Sequence, residues 1–254
     1  MTKRLDKILL HLYKFRFLTR NQLQTLLNHK QFNRVIVWLN QLSDGGYIRR
    51  YYDARLVTEP AVYSLGLNGR KYLLKHLEND IEASQLDRVW REPKLSLEFR
   101  QHCLLVADCY LSLSKLVKTT GAKLKFHTKV DLYGLKYLIL PNPDTYFSIE
   151  EANGNKKCYF LDVFDDLPPR MELRKRIRQY FQYYEDNHWQ DHNDNSFPSI
   201  IFVCPNNRSL NYLNIQIQKQ LENEAELTFF LTTREKVKTL GICRKILQKV
   251  LLKE

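Results

Sequence analysis

The sequence predicts an α+β protein in two parts: a basic helical N-terminal module, then an α/β unit. Three observations predict it. Apolar residues recur at helical spacing through the first 45 positions, and two short strand-like runs follow them. Beyond residue 98, strand and helix patterns alternate, as they do in a layered α/β unit. Charge is uneven: residues 1–78 hold fourteen Lys or Arg against five Asp or Glu, most of the net +12 of the whole chain. With 254 residues, 44% hydrophobic and 12% aromatic, the chain has enough apolar surface for a real core, which excludes wholesale disorder. A protein this basic most often meets a polyanion, and nucleic acid is the first expectation.

In "TKRLDKILLHLYKF", Leu5, Ile8, Leu9, Leu12 and Tyr13 mark one buried helical face. After a break at Phe17-Leu18, Thr19 stands where the N-cap of a second helix belongs. Leu23, Leu26 and Leu27 form its apolar stripe. A third helix runs "FNRVIVWLNQLSDGG", with Phe32, Val35, Ile36, Leu39 and Leu42 inward, and ends at Gly45-Gly46. Trp38 and Tyr47 are expected in the core. "YIRRYYDA" and "AVYSLGL" read as two strands joined by "DARLVTEP", and "NGRKYLLKHL" returns to helix.

Three helices and a two-stranded ribbon make the plan of a winged helix-turn-helix. In that plan the third helix enters the major groove of duplex DNA and flanking cations hold phosphates. The predicted outward residues are Lys30, Asn33, Arg34, Val37, Asn40 and Gln41. Asn, Gln and Arg side chains read base edges. Arg49, Arg50 and Arg55 lie on the ribbon, where they suit phosphates. A winged helix used only for protein contacts is the competing use, and the local charge favours DNA.

Five cysteines, at 103, 109, 158, 204 and 243, show no Cys-x-x-Cys spacing, so zinc is not signalled. Their odd number on apolar segments predicts buried reduced thiols and a cytoplasmic home. The N-terminus lacks the apolar core of a signal peptide, and "CLLVADCYLSL" is too short to span a bilayer, so no membrane partner is expected.

The predicted domains are 1–80, a connecting segment at 81–97 containing Pro93, and 98–254. The last opens with the long amphipathic helix "LEFRQHCLLVADCYLSLSKLVKTTG". Its His102 reads as structural, and Glu98 is a weak candidate carboxylate. "AKLKFHTKV" and "KYLIL" are strand candidates. "DTYFSIEE" and "KKCYFLDVF" form a hairpin around Asn-Gly. Asp144 begins one arm and Asp162 lies late on the other, so opposed carboxylates could hold Mg²⁺ for phosphoryl chemistry. A lysine two residues past the second acid normally completes such a nuclease core, on the same strand face. Phe164 stands there. A basic helix, "PPRMELRKRIRQYFQYYEDNHW", then precedes the strand "FPSIIFVCPN", the helix "RSLNYLNIQIQKQLE" and a last strand, "LTFFLTT".

The basic N-terminal module, "HCLLVAD", Pro143-Asp144, the acidic strand, "RIRQYFQYY" and "IIFVCPNNR" together resemble the replication-relaxation proteins of bacterial plasmids and other mobile elements. The resemblance covers most of residues 5–213. It implies that the second domain is similar to the PD-(D/E)xK restriction-endonuclease-like fold. Members tend to show Pro-Asp, then Glu-x-Asp, then a Lys followed four residues on by Tyr. Pro143 and Asp144 match the first element, and Asp162 conservatively matches the Glu. Phe164 departs from the second acid, with Asp165 next to it on the other strand face. Arg176 and Tyr180 match the Lys and Tyr with an altered base.

The resulting expectation is a DNA-binding protein of a mobile element in the bacterial cytoplasm, with a degenerate nuclease-like domain and no cofactor. Arg174, Lys175, Arg176 and Arg178 would then bind phosphate. The rival is an active Mg²⁺-dependent endonuclease or nickase: Asp144 and Asp162 would hold the metal, and Lys175 or Arg176 would replace the strand lysine. A third reading is a winged-helix transcription regulator. Expected partners are double-stranded DNA and other proteins of the same element; the oligomeric state is left open.

Overall fold

The computed structural model describes residues 3–52, 60–76, 81, 83–91, 96–138, 140–164, 169–193, 196–221 and 227–252. The chain divides into two compact units, Met1–Ala107 and Asp108–Glu254.

The first unit begins with α1 (Lys3–Phe15), which buries the five apolar residues its periodicity picks out. The break at Phe17-Leu18 is a short strand, β1 (Phe17–Thr19). Helix α2 (Arg20–Leu26) starts on a capping box. The Thr19 hydroxyl accepts from the Gln22 N–H at 3.2 Å, and the Gln22 side-chain oxygen accepts from the Thr19 N–H at 2.9 Å. The two bonds satisfy backbone donors that a helix start leaves open, and such a cap contributes about 1 kcal/mol.

Helix α3 (Phe32–Asp44) buries Val35, Leu39 and Leu42. Phe32 corrects the expected inner face: it is 38% exposed, with the Arg20 guanidinium 4.0 Å over its ring. It sits on the first helical residue, and the cation covers a ring face that the core does not. Trp38 and Tyr47 are half-buried rather than core residues. The imidazole of His29 meets the Trp38 ring edge-on at 4.8 Å, and Arg4 lies 5.4 Å above it. Gly45 caps α3, and Gly46 takes φ +67°, a conformation that costs glycine little.

Strands β2 (Ile48–Tyr51) and β3 (Val62–Leu65) complete an antiparallel sheet of order β1-β3-β2. Residues 53–59, Arg55 among them, lie outside the described residues. Helix α4 (Leu67–His76) follows, and Gly69 approaches the Tyr47 carbonyl so closely that a Cβ would sit 2.2 Å from its oxygen. The segment 81–97 contains a further helix, α5 (Ala83–Arg91), with Leu86 and Val89 buried. The Gln85 side-chain oxygen accepts from the Tyr13 hydroxyl at 2.8 Å. The start of α6 (Leu97–Thr120) belongs to this unit too. Phe99 meets Phe17 edge-on at 6.1 Å, and the Leu104 carbonyl accepts from the Gln22 side chain at 2.9 Å. The two compact units meet inside α6, between Ala107 and Asp108.

His11 on α1 gives this unit a pH dependence. Burial, then the charges of Lys14 and Lys7, lower its pKa from 6.5 to about 4. The unfolded chain takes up the proton near 6.5 and the folded chain only near 4. Stability should therefore be flat above pH 6.5 and fall as pH drops from 6.5 towards 4, by about 1–3 kcal/mol for this group. Urea midpoints at pH 7, 6 and 5 measure it, and His11→Gln should remove that share of the slope.

The second unit takes the rest of α6. Then come β4 (Lys123–Thr128), α7 (Lys129–Leu132), β5 (Thr145–Glu150), β6 (Lys156–Val163), α8 (Arg170–Glu185), β7 (Ser199–Cys204), α9 (Asn207–Leu221), β8 (Phe229–Thr233), α10 (Arg234–Leu240) and β9 (Gln248–Lys249). The six strands lie in chain order in one mixed sheet. β6, β7 and β8 run parallel, and every other pairing is antiparallel. The two parallel crossovers carry α8 and α9, which share one core with Phe160, Phe202 and Phe229 of the sheet. Tyr110 of α6 packs on Phe126 of β4 at 5.1 Å, and Ser112 accepts from the Ile242 N–H beyond α10 at 2.9 Å.

The hairpin forms as expected, Thr145 opposite Leu161 and Glu150 opposite Lys156, with Gly154 at φ +83° in its turn. Among the described residues of "KYLIL", which leave out Ile139, the expected strand is absent: Lys136–Leu138 is a short 3-10 turn. Gly134 at φ +87° precedes it, and Pro141 and Pro143, which lack an N–H, follow. β9, past the strand expected to be last, is an addition that two polar residues, Gln248 and Lys249, do not announce. Cys103, Cys109 and Cys204 are buried and outside any disulfide, and burial pushes the Cys204 thiol up to about 12. Among the described residues, no helix is long and apolar enough to cross a membrane. The whole is a mixed α/β chain of the α+β class.

Candidate functional site

Sheet register builds the site. Continuing the β5–β6 pairing one step past Thr145–Leu161 sets Asp144 opposite Asp162. Continuing β4–β5 one step past Thr128–Thr145 sets Lys129 opposite Asp144. The three charged residues form a row across the sheet. Asp162 is 2% exposed and Asp144 7%.

Four donors converge on the Asp162 carboxylate. Oδ1 accepts from Arg176 Nη2 at 2.5 Å and from the Asp144 N–H at 3.2 Å. Oδ2 accepts from Arg176 Nε at 2.7 Å and from the Tyr180 hydroxyl at 2.8 Å. Arg176 and Tyr180 stand one turn apart on α8, so one helix face delivers both. The rest of the guanidinium donates to the carbonyls of Pro141 and Asn142 and to the Gln179 side chain. Asp144 Oδ2 accepts from the Val163 N–H at 2.9 Å, and its Oδ1 meets Lys129 Nζ at 3.4 Å.

Burial disfavours the charged form of Arg176. The Asp162 carboxylate outweighs that cost, so its pKa lies above the ordinary value. Burial, then the Asp162 charge, push the Tyr180 phenol well up, so it stays a neutral donor. The bidentate Arg–carboxylate fork is the strong form of such a bond.

Mg²⁺ takes near-octahedral oxygen ligands and keeps several waters. Here both oxygens of Asp162 face a fixed guanidinium within 2.7 Å. The positive charge a metal would bring is already present, so this donor set does not fit a divalent cation as arranged. Among the described residues, no group of three or more His, Cys, Asp or Glu could hold a metal.

Phe164 meets Phe202 at 5.2 Å and packs, like Phe160, on the α8–α9 core. It therefore faces the same side as Asp162, as alternation predicts. Arg174, Lys175 and Arg178 are exposed on α8, and the described partners of the two acids do not include them. The lysine beside the acids is Lys129, which sequence reasoning missed. Its signal, a lysine just after "KLKFHT", acquires meaning only once the strands are in register.

On the first unit, Asn33, Arg34, Val37, Asn40 and Gln41 are all exposed, Val37 at 58%. They follow i, i+1, i+4, i+7, i+8, a single face of α3. Lys30 is exposed just ahead of it, and Arg49 and Arg50 are exposed on β2.

Helices and a small sheet ahead of a mixed-sheet unit, with a buried Asp–Arg–Tyr cluster under its hairpin, define a two-unit α+β protein. The chain belongs to the replication-relaxation family, whose model matches residues 9–200. No curated protein and no solved structure matches the chain significantly.

Proposed function

We propose that this chain is a DNA-binding protein of a mobile genetic element, acting in the bacterial cytoplasm in a replication, mobilisation or related DNA transaction. Its first unit is a winged helix-turn-helix that reads duplex DNA with α3 and holds phosphates with the ribbon. Its second unit is a restriction-endonuclease-like domain whose acid pair has become structural. The observation that carries DNA binding is the exposed α3 face of Asn33, Arg34, Val37, Asn40 and Gln41 beside Arg49 and Arg50. Those side chains offer base-edge and phosphate donors together. The saturated Asp162 carboxylate supports the loss of metal chemistry. Membership of the replication-relaxation family supports the mobile-element role. Other proteins of the same element are proposed partners.

A second reading, an active Mg²⁺-dependent nickase, draws support from Lys129, which supplies a lysine next to Asp144 although Phe164 does not. Supercoiled plasmid incubated with the chain and Mg²⁺ or Mn²⁺ separates the two. A mobility shift without nicking is expected. Metal-dependent nicking lost in Asp144→Ala would establish the enzyme instead, and no shift at all would remove DNA binding.

A further inference from the structure

Helices α8 and α9 each connect parallel neighbours of one sheet and pack on the same face, so they run side by side in the same direction. Between them lies a groove of about 340 Å³ on their solvent side. Met171, Arg174 and Arg178 of α8 and Lys219, Gln216 and Gln220 of α9 line it, over the buried Ile177. At the α8 entry, the Arg170 guanidinium lies 5.0 Å over the Tyr212 ring. Arg170, Arg174 and Arg178 thus follow each other at intervals of four residues, about 6 Å along the helix axis. Among the described residues, none of these three, nor Lys219, forms an ion pair.

Apolar surface from Met171 and Ile177 forms much of its lining, and three cations and two side-chain amides rim it. Positive charges repeating along one helix, with Lys219 and two side-chain amides across the groove, match a chain of evenly spaced anions better than a compact ligand. Arg176 on the same helix turns inward to Asp162, so the groove does not depend on the acid pair.

We propose that the α8–α9 groove is a phosphate-backbone cradle, in which Arg174, Arg178 and Lys219 hold successive phosphates of a nucleic-acid strand. The proposal rests on the DNA-binding reading above, and it gives the second unit its own contact with DNA without metal or cleavage.

The test uses the full chain and a 30-base-pair duplex, with affinity measured between about 50 and 200 mM salt. Arg174→Ala/Arg178→Ala/Lys219→Ala removes the groove cations, and Lys115→Ala/Lys118→Ala/Lys125→Ala removes equal charge from exposed positions elsewhere in the second unit. All six residues are exposed, and an unchanged melting temperature checks the folding of both variants. The groove variant should lose about 10-fold or more in affinity and about two to three in log–log salt slope, at about 0.9 per phosphate released. The control should lose much less. Equal losses in both would reduce the effect to net charge and overturn the cradle. An unchanged groove variant, with binding still lost in Arg49→Ala/Arg50→Ala, would overturn the cradle alone. A wild-type chain that binds no duplex would overturn both the cradle and the DNA-binding reading.

Discussion

Arg176→Ala should destabilise the second unit by about 3–5 kcal/mol, the cost of leaving one member of a buried ion pair uncompensated. Asp162 would keep only the Asp144 N–H and the Tyr180 hydroxyl as donors, at 2% exposure. The lost guanidinium also bonds the Pro141 and Asn142 carbonyls, so the Pro141–Pro143 entry to the site loosens with it. Arg176→Lys keeps the charge but not the planar fork, and an intermediate loss is expected. Tyr180→Phe removes one hydrogen bond to a charged group, about 1.5–3 kcal/mol. Denaturant unfolding measures all three, with midpoints falling at nearly constant slope. A loss below about 1 kcal/mol for Arg176→Ala would rank the pair with ordinary surface ion pairs and remove its structural role.

Duplex binding should fail mainly through the first unit. Arg34 lies on the exposed face of α3, and Arg34→Ala should cost about 1–3 kcal/mol with relaxed sequence preference if it reaches a base edge. Arg49→Ala/Arg50→Ala should instead weaken all sequences alike and flatten the salt slope by about two, since two phosphate contacts go. In the β2–β3 pairing the two arginines face Ser64 and Tyr63, and neither has a buried side chain, so their loss spares the fold. Fluorescence anisotropy over a salt series gives both affinity and slope. Wild-type values in both variants would leave this unit as a protein-contact module.

Much of the fold was legible because its signals are local. The α1 stripe, the Thr19 cap, the Gly45-Gly46 stop and the Asn-Gly hairpin each depend on residues a few positions apart. The failures also have local causes. "KYLIL" has strand composition, but Gly134 and two prolines bound it too closely for a ladder. Phe32 fits the apolar stripe but lies at the helix start, where a cation covers it.

The sequence by itself determined the class, the outward α3 face, the opposed acids and the substitution of Phe164, since composition, helical periodicity and strand alternation fix these within one element or one hairpin. Only the tertiary structure decided that Arg176 grips Asp162 from α8, fourteen residues on, and that Lys129 stands beside Asp144. It also decided that α8 and α9 line their cations along one groove. Periodicity states which face of an element is apolar, but not which element lies across from it. That partner follows from strand order and register, which are set by burying several faces at once.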